Sequence, residues 1–257
     1  MNLELFREQM YRDGSVVIPG LLSDELVDKL KVKLREAIEK EAAYHNGTDY
    51  VDYGMVMMCC LYDQIFTELF EMDELMQYFN AILGEGCIVY AYTSSSMPPN
   101  ASNFSNRVHV DCPRIIPNYI TNMGAVLLLD DFTEANGATW YLPGSQEQWE
   151  MDPDYFFNHA ERLVEKAGSV WFFNARTWHS GGQNYTDAWR HGMTINMCRP
   201  WMKQRIDIPK SMARAGKDIG QISDKAKQKL GFFAQVPENY EEYYVPREQR
   251  KYRQKVE

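Results

Sequence analysis

The stretch CIVYAYTSS, residues 87–95, marks the point where the hydrophobic pattern changes from helical to extended. It is rich in β-branched and aromatic residues, which favour strands. MGAVLLLDDF at 123–132, VWFF at 170–173 and WRHGMTINMC at 189–198 continue the series, and Asn136-Gly137 is a strong turn signal. Seven or so short strands divided by such turns predict a mainly β fold with flanking helices, whose core is a double-stranded β-helix (jelly roll, cupin-like).

Upstream of this stretch, the sequence predicts helices that pack on one outer face of the core. Ser23 is a good N-cap, and apolar residues recur after it at helical spacing as far as about Ala43. Another helix is predicted over 68–83 and ends at Gly84. We therefore expect a single domain.

The expected domain has three parts. Residues 1–86 form its helical N-terminal part and residues 87–200 its jelly-roll core. Residues 201–257 form a polar C-terminal extension, with a helix predicted around 224–230. This extension is expected to serve as a lid or a subunit contact.

Composition excludes several classes of function. The 257-residue chain has a formal net charge of −9, which argues against nucleic-acid binding because such proteins present a basic surface. No apolar run reaches the ~18 residues of a membrane span, and the charged N-terminus lacks a signal-peptide core. Five cysteines without CxxC spacing favour reduced thiols. We expect a cytoplasmic protein with a small-molecule substrate and no nucleic-acid or membrane partner. The sequence does not decide whether the protein forms a homo-oligomer.

His109 and Asp111 stand two residues apart in RVHVDCPR, residues 107–114. The alternating pattern predicts a strand, in which the imidazole and the carboxylate share one face. Side chains placed in this way can bind one metal ion. The competing interpretation is a polar strand end that makes surface hydrogen bonds.

Strand periodicity selects a third ligand between two further histidines. Along WRHGMTINMC, Arg190 and His191 lie on opposite faces, so His191 faces away if Arg190 faces the pocket. His179, which follows a buried strand and precedes Gly181-Gly182, is therefore the better ligand. Two histidines and a carboxylate form the facial triad of non-haem Fe(II) oxygenases.

Arg190 suits the co-substrate of such an oxygenase. A 2-oxo acid can bind the metal through its keto oxygen and neighbouring carboxylate, and its far carboxylate then needs a cation. Arginine is always charged and binds carboxylates through two parallel hydrogen bonds. A structural salt bridge to one of the many acids is the alternative interpretation of Arg190.

An ordered series of motifs over most of the chain resembles the phytanoyl-CoA dioxygenase family of Fe(II)/2-oxoglutarate oxygenases. The series is DGSVVIPGLLSDEL, HVD, EANGATWYLPGSQ and AGSVWFFNARTWHSGGQN, followed by Arg190. The resemblance implies that His109, Asp111 and His179 bind iron and that Arg190 binds the C5 carboxylate of 2-oxoglutarate. It also implies that O2 and 2-oxoglutarate yield succinate and CO2. Because Asp111 keeps the carboxylate that related halogenases lack, hydroxylation is expected.

Three positions depart from the family pattern. Gln146 stands where histidine is common, Ser169 where aspartate is common, and Gly192 where a hydroxyl often assists the arginine. The last departure leaves the second contact to 2-oxoglutarate open. Four residues with hydroxyl groups are candidates for that contact: Thr194, Tyr92, Ser94 and Ser96.

Substrate specificity is the least constrained property. Segments 46–60 and 114–122 are predicted pocket walls, with Arg114 and Asn122 as substrate contacts and Arg114 facing an anionic group. A solvated or salt-bridged Arg114 is the alternative. Two other functions compete with the oxygenase: a non-catalytic jelly-roll protein that binds a ligand, and a metal enzyme of the same fold that does not use 2-oxoglutarate.

Overall fold

Two antiparallel sheets form the core of the computed structural model, which describes residues 1–103 and 105–250. The strands are β1 (Ser15–Ile18), β2 (Ile88–Ser94), β3 (Asn122–Leu128), β4 (Trp140–Tyr141), β5 (Glu161–Arg162), β6 (Val170–Asn174), β7 (His179–Ser180) and β8 (Gly192–Cys198). The larger sheet has the order β1-β6-β3-β8-β2, and the smaller one has the order β5-β4-β7. This architecture confirms the predicted jelly-roll class.

Helices precede and follow the strands of the core along the chain. They are α1 (Leu3–Arg12), α2 (Asp24–Tyr44), α3 (Ile65–Glu68), α4 (Asp73–Leu83), α5 (Pro153–His159), α6 (Ile208–Arg214), α7 (Asp224–Lys229) and α8 (Tyr240–Tyr243). Ser23 caps α2 as predicted, because its Oγ accepts the Leu26 N–H at 3.3 Å. The helix predicted over 68–83 is wrong in its start, since the extended backbone of Met72 separates α4 from the preceding turn.

The N-terminal helices pack against one face of the larger sheet. Phe6 of α1 and Phe79 of α4 both contact Phe172 of β6, with ring centroids 5.4 Å apart in each pair. Burying one such side chain stabilises the fold by roughly 1.5–3 kcal/mol. The neighbours of Phe172 along the strand, Trp171 and Phe173, point to the opposite face, where the functional site lies.

The strand predicted around the HxD pair is wrong as a regular element. Within residues 107–111 only His109 has strand-like pairing, in a single bridge to His179. The reason is that β7, its partner, is only two residues long. This bridge brings two segments 70 residues apart in the chain side by side.

The C-terminal segment is described as far as residue 250, and residues 251–257 lie outside the described part. The predicted helix around 224–230 is α7, and Lys229 of that helix reaches the Glu85 carbonyl at 2.7 Å. Nearer the core, the Arg205 N–H donates to the carbonyl of Tyr90 on β2 at 2.9 Å. Within the described residues, no helix is both long enough and apolar enough to cross a bilayer.

Candidate active site

Three side chains with metal-binding atoms meet where the short β7 crosses the HxD segment. Nε2 of His109 lies 3.6 Å from Oδ1 of Asp111, and Nε2 of His179 lies 3.8 Å from the same oxygen. All three ligand atoms lie within 4.8 Å of one another. The bridge between His109 and His179 sets the two rings side by side, with centroids 4.3 Å apart. One ion could therefore contact all three groups.

Hydrogen bonds orient both imidazole rings toward a metal. Nδ1 of His109 donates to the Arg107 carbonyl at 2.7 Å, and Nδ1 of His179 donates to the Thr177 carbonyl at 2.9 Å. Because a carbonyl only accepts, the proton belongs on Nδ1 and the Nε2 lone pair is free. Burial, together with the adjacent His179, lowers the pKa of His109 to about 4. That ring is therefore neutral near pH 7, as a metal ligand must be.

Asp111 is held by both its backbone and its side chain. Its N–H donates to the Ala175 carbonyl at 2.9 Å, and its Oδ2 accepts from Nδ2 of Asn196 at 3.1 Å. Oδ1 is left to face the two histidines. Two imidazole nitrogens and one oriented carboxylate oxygen are the donor set of non-haem Fe(II) sites, so the residues present fit this metal.

Asn196→Ala is expected to weaken Fe(II) binding by about 10- to 100-fold, because the carboxylate of Asp111 loses the partner that orients it. Competition with a metal-sensitive dye measures the affinity. Asn122→Ala is the matched control, since Asn122 is also a buried asparagine but belongs to the neighbouring β3 and lies outside the cavity of the cluster. Equal affinities for the two variants would contradict the role of Asn196.

His191 lies outside the metal-binding cluster, as strand periodicity predicts. Its Nδ1 lies 2.7 Å from Oδ2 of Asp130, and its Nε2 accepts from Nε of Arg35 on α2 at 3.3 Å. Asp130 also pairs with Lys31 of α2 at 2.5 Å. His191 therefore takes part in a network that ties α2 to the sheet.

A cavity of about 450 Å³ contains the three clustered side chains together with Arg190. Arg190 is buried, with Nη1 donating to the Gly137 carbonyl at 2.7 Å and Nη2 to the Ser95 carbonyl at 2.6 Å. Its Nε has no partner among the described residues. Burial lowers the pKa of this guanidinium to about 9. A buried cation with an unused donor on a cavity wall suits a carboxylate ligand.

The four hydroxyl candidates for the second co-substrate contact differ in placement. Thr194 lines the cavity. Ser94 also lines it, but its Oγ already donates to Gly54 and accepts from Val56. The other two do not belong to the cavity lining: the Tyr92 hydroxyl donates to the Phe66 carbonyl at 3.0 Å, and the Ser96 Oγ donates to the Gly192 carbonyl at 3.5 Å.

Ser95 is the hydroxyl that the sequence did not reveal. Its Oγ is buried, lacks a partner among the described residues, and belongs to a residue of the cavity wall. A Cβ placed on Gly192 would lie 2.9 Å from this oxygen. Ser95 therefore presents a hydroxyl beside the position where the family often has one. Strand register was the missing signal: Thr93 pairs with Thr194, and Ser95, one residue beyond β2, continues the pairing through its N–H to the Gly192 carbonyl at 2.8 Å, so alternation places Ser95 on the same face as Thr93.

The predicted substrate contacts Arg114 and Asn122 lie outside this cavity. Arg114 lines a separate surface depression of about 50 Å³, and the side chain of Asn122 is buried in β3 outside the main cavity. The cause is the path of the chain, because the segment after Asp111 leaves the cavity. Segment 46–60 does contribute to the wall, through Met55 and Met57.

Comparison with known proteins places this chain in a family. The sequence profile of the phytanoyl-CoA dioxygenase (PhyH) family matches residues 10–192. The chain belongs to this family. Dioxygenase FUM3 of Gibberella moniliformis is 33% identical over 257 residues, covering 88% of this chain and 81% of that protein. Rv1501 of Mycobacterium tuberculosis, described as uncharacterized, is 29% identical over 208 residues, covering 79% and 76%.

A solved structure shares the fold of this phytanoyl-CoA dioxygenase family member. SnoK is described as a non-haem α-ketoglutarate-dependent carbocyclase from nogalamycin biosynthesis. It aligns with a TM-score of 0.64 and 22% identity over 78% of this chain and 85% of its own. At that identity the likeness concerns the fold. Family membership and the fungal relative support a dioxygenase.

Proposed function

We propose that the chain is an Fe(II)- and 2-oxoglutarate-dependent dioxygenase that hydroxylates a small molecule. One observation carries the proposal: the three clustered metal-binding side chains and the buried Arg190 line the same cavity of about 450 Å³. The description of SnoK as α-ketoglutarate-dependent supports the choice of co-substrate. The donor set itself supports the choice of iron.

His109, Asp111 and His179 would hold the iron, and a facial triad leaves other coordination positions open. When bound, iron with 2-oxoglutarate activates dioxygen and couples the formation of succinate and CO2 to oxidation of the substrate. The protein's contribution is to fix the ligands. Carbonyl groups hold both histidine rings through Nδ1, and Asn196 holds the aspartate.

Arg190 would bind the far carboxylate of 2-oxoglutarate, assisted by a hydroxyl group. Each Nη uses one N–H on the carbonyls of Gly137 and Ser95, which leaves the Nε–H and the second N–H of each Nη for the ligand. We assign the second contact to Ser95, whose Oγ is otherwise unused. Thr194 lies on the same wall and stays the alternative.

Hydroxylation is proposed because Asp111 supplies the third protein ligand. Its carboxylate takes the place where a halogenase would bind a halide. Buried aromatic side chains, Trp171 and Phe173, form an apolar part of the wall of the same cavity. Since SnoK is described as a carbocyclase, the oxidation could take another course on this fold, and product analysis separates the two.

The central experiment adds Fe(II) and 2-oxoglutarate to the protein without oxygen and records the visible charge-transfer band. The same preparation is then given oxygen and a panel of metabolites, and succinate is measured. A missing band together with no succinate would refute the proposal. A ligand-binding protein would retain no iron, and a metal enzyme independent of 2-oxoglutarate would turn over without it.

Ser95→Ala is expected to raise the KM for 2-oxoglutarate by about 5- to 20-fold, because one hydrogen bond to a charged group is lost. Iron affinity should stay unchanged. The matched control is Ser96→Ala, which removes a neighbouring buried hydroxyl that points to the Gly192 carbonyl. If Thr194→Ala rather than Ser95→Ala raises the KM, the second contact belongs to Thr194.

A further inference from the structure

The cavity extends along β2 between two arginines. At one end, Arg190 donates to the Ser95 carbonyl at 2.6 Å. At the other end, the backbone N–H of Arg205 donates to the Tyr90 carbonyl at 2.9 Å. Since a strand advances about 3.3 Å per residue, these two contacts are roughly 16 Å apart. Arg190 is buried and Arg205 is exposed, so the second end is the mouth.

The metal-binding cluster lies nearer the mouth than the closed end. Ala91, next to Tyr90 on β2, pairs in register with Asn196 of β8. The Asn196 amide in turn donates to the Asp111 carboxylate at 3.1 Å. A co-substrate that reaches from the metal to Arg190 therefore occupies the closed end. The space beside the metal at the mouth is left for the substrate.

Two arginines that have no acidic partner among the described residues belong to the wall of this cavity. Arg107 and Arg205 both line the cavity, and neither forms an ion pair among the residues that the structure describes. Their backbones are anchored, because the Arg107 carbonyl accepts from Nδ1 of His109 and the Arg205 N–H donates to Tyr90. Their guanidinium groups are thus left without a carboxylate partner on a wall that also carries the three metal-binding side chains.

The charge of the cavity opposes the charge of the chain. Its described lining carries three arginines against a single carboxylate, that of Asp111, whereas the whole chain has a net charge of −9. A concave site of one sign on a protein of the other sign concentrates ligands of the opposite charge. Iron would add further positive charge. Anions are therefore the ligands that this cavity attracts.

Part of the cavity wall is apolar, and segment 46–60, a predicted pocket wall, contributes to it. Met55 and Met57 contribute two flexible thioether side chains, which adapt to ligands of varied shape. A ligand with both an anionic group and an apolar portion would use both kinds of wall. A free inorganic anion would leave the apolar part unfilled.

We propose that Arg107 and Arg205 bind the anionic group of the substrate, which is a small organic acid or phosphate ester with an apolar portion. The assignment rests on the proposed function, since it gives Arg190 to 2-oxoglutarate. It replaces Arg114, which lies in a different depression. Carboxylate and phosphate share the oxygen geometry that arginine recognises, so both are tested.

Calorimetric titration under nitrogen tests the proposal with defined probes. The protein is first loaded with Mn(II) and titrated with 2-oxoglutarate; no binding at this step would refute the proposed function. With 2-oxoglutarate saturating, octanoate, octyl phosphate and the neutral octanamide are then added. We expect one or both anions to bind at least about 10-fold more tightly than octanamide.

The variants Arg107→Gln and Arg205→Gln should each weaken binding of the anions by roughly 10- to 100-fold and leave octanamide unchanged. Affinity for 2-oxoglutarate should stay as in the wild type. Arg214→Gln, in the last turn of α6, is the control for loss of one positive charge. Binding of octanamide as tightly as the anions, no binding of either anion, or equal effects of all three variants would overturn the proposal.

Discussion

His179→Ala is expected to lower the affinity for Fe(II) by more than about 100-fold and to abolish succinate formation. Residues that merely orient metal ligands are typically worth 10- to 100-fold in affinity, and His179 supplies a ligand atom directly. Its ring is buried, its Nδ1 is held by Thr177, and its Nε2 lies 3.8 Å from Asp111. Metal content after dialysis and the anaerobic charge-transfer band are the two measurements.

Two other histidines provide controls of different kinds. His159 is exposed at the end of α5, where its Nδ1 bonds the Tyr155 carbonyl, so His159→Ala should change neither iron content nor stability. His191→Ala should keep the iron but lower the free energy of unfolding by about 1–3 kcal/mol, because Asp130 loses a buried partner. Full iron content in His179→Ala would show that the cluster is not the metal centre.

The contrast between His179 and His191 shows what the sequence could predict. Side chains alternate along a strand whatever surrounds it, so the opposite faces of Arg190 and His191 followed from spacing alone. In the structure, Arg190 lines the cavity and His191 contacts Asp130 outside it. The HxD pair was likewise recognisable, although its backbone has one bridge where a full strand was expected.

Features that depend on register between distant strands could not be predicted in this way. Ser95 faces the cavity because β2 pairs with β8 in a particular alignment, and that pairing shifts between Val89 and Ala91. One sequence gives no such alignment. Arg205 could not be predicted either. It follows the core in the sequence, and the hydrogen bond from its N–H to the Tyr90 carbonyl brings it to the site.

The position of Gln146 illustrates a third kind of limit. The family often has histidine there, and a missing histidine in a metal-dependent family raises the question of a lost ligand. In the structure, Nε2 of Gln146 donates to the Tyr11 and Arg12 carbonyls at 3.0 and 3.2 Å, which ties this loop to the end of α1. The substitution therefore concerns packing of the N-terminal helix and leaves the metal-binding cluster complete.

Arg190→Gln is expected to raise the Kd of 2-oxoglutarate by about 100-fold, which corresponds to about 3 kcal/mol. The guanidinium is buried, and no carboxylate pairs with it among the described residues, so its charge is left for a ligand. Glutamine removes the charge and cannot reproduce the planar fork that binds a carboxylate. Calorimetry with Mn(II)-loaded protein measures the affinity.

A thermal shift separates the co-substrate role of Arg190 from a purely structural one. Burial of this unpaired cation opposes folding, and an anion bound beside it offsets that cost, so 2-oxoglutarate should raise the Tm of the wild type. Arg190→Gln should lose this shift while keeping its iron. Arg190→Lys, which keeps the charge without the fork, should show an intermediate shift.

Arg162→Gln is the matched control for Arg190→Gln, since Arg162 is a partly buried arginine whose charge acts on Arg190. Its guanidinium packs over Trp140 at 4.3 Å and lies outside the cavity lining. If Arg162→Gln and Arg190→Gln weaken the binding of 2-oxoglutarate equally, the effect reflects the loss of positive charge in general and not a contact of Arg190. If neither does, the co-substrate does not use Arg190, although the metal centre could still form. The metal-binding cluster and the co-substrate contact at Arg190 can each be lost without the other. The variants His179→Ala and Arg190→Gln therefore test these two parts of the site separately.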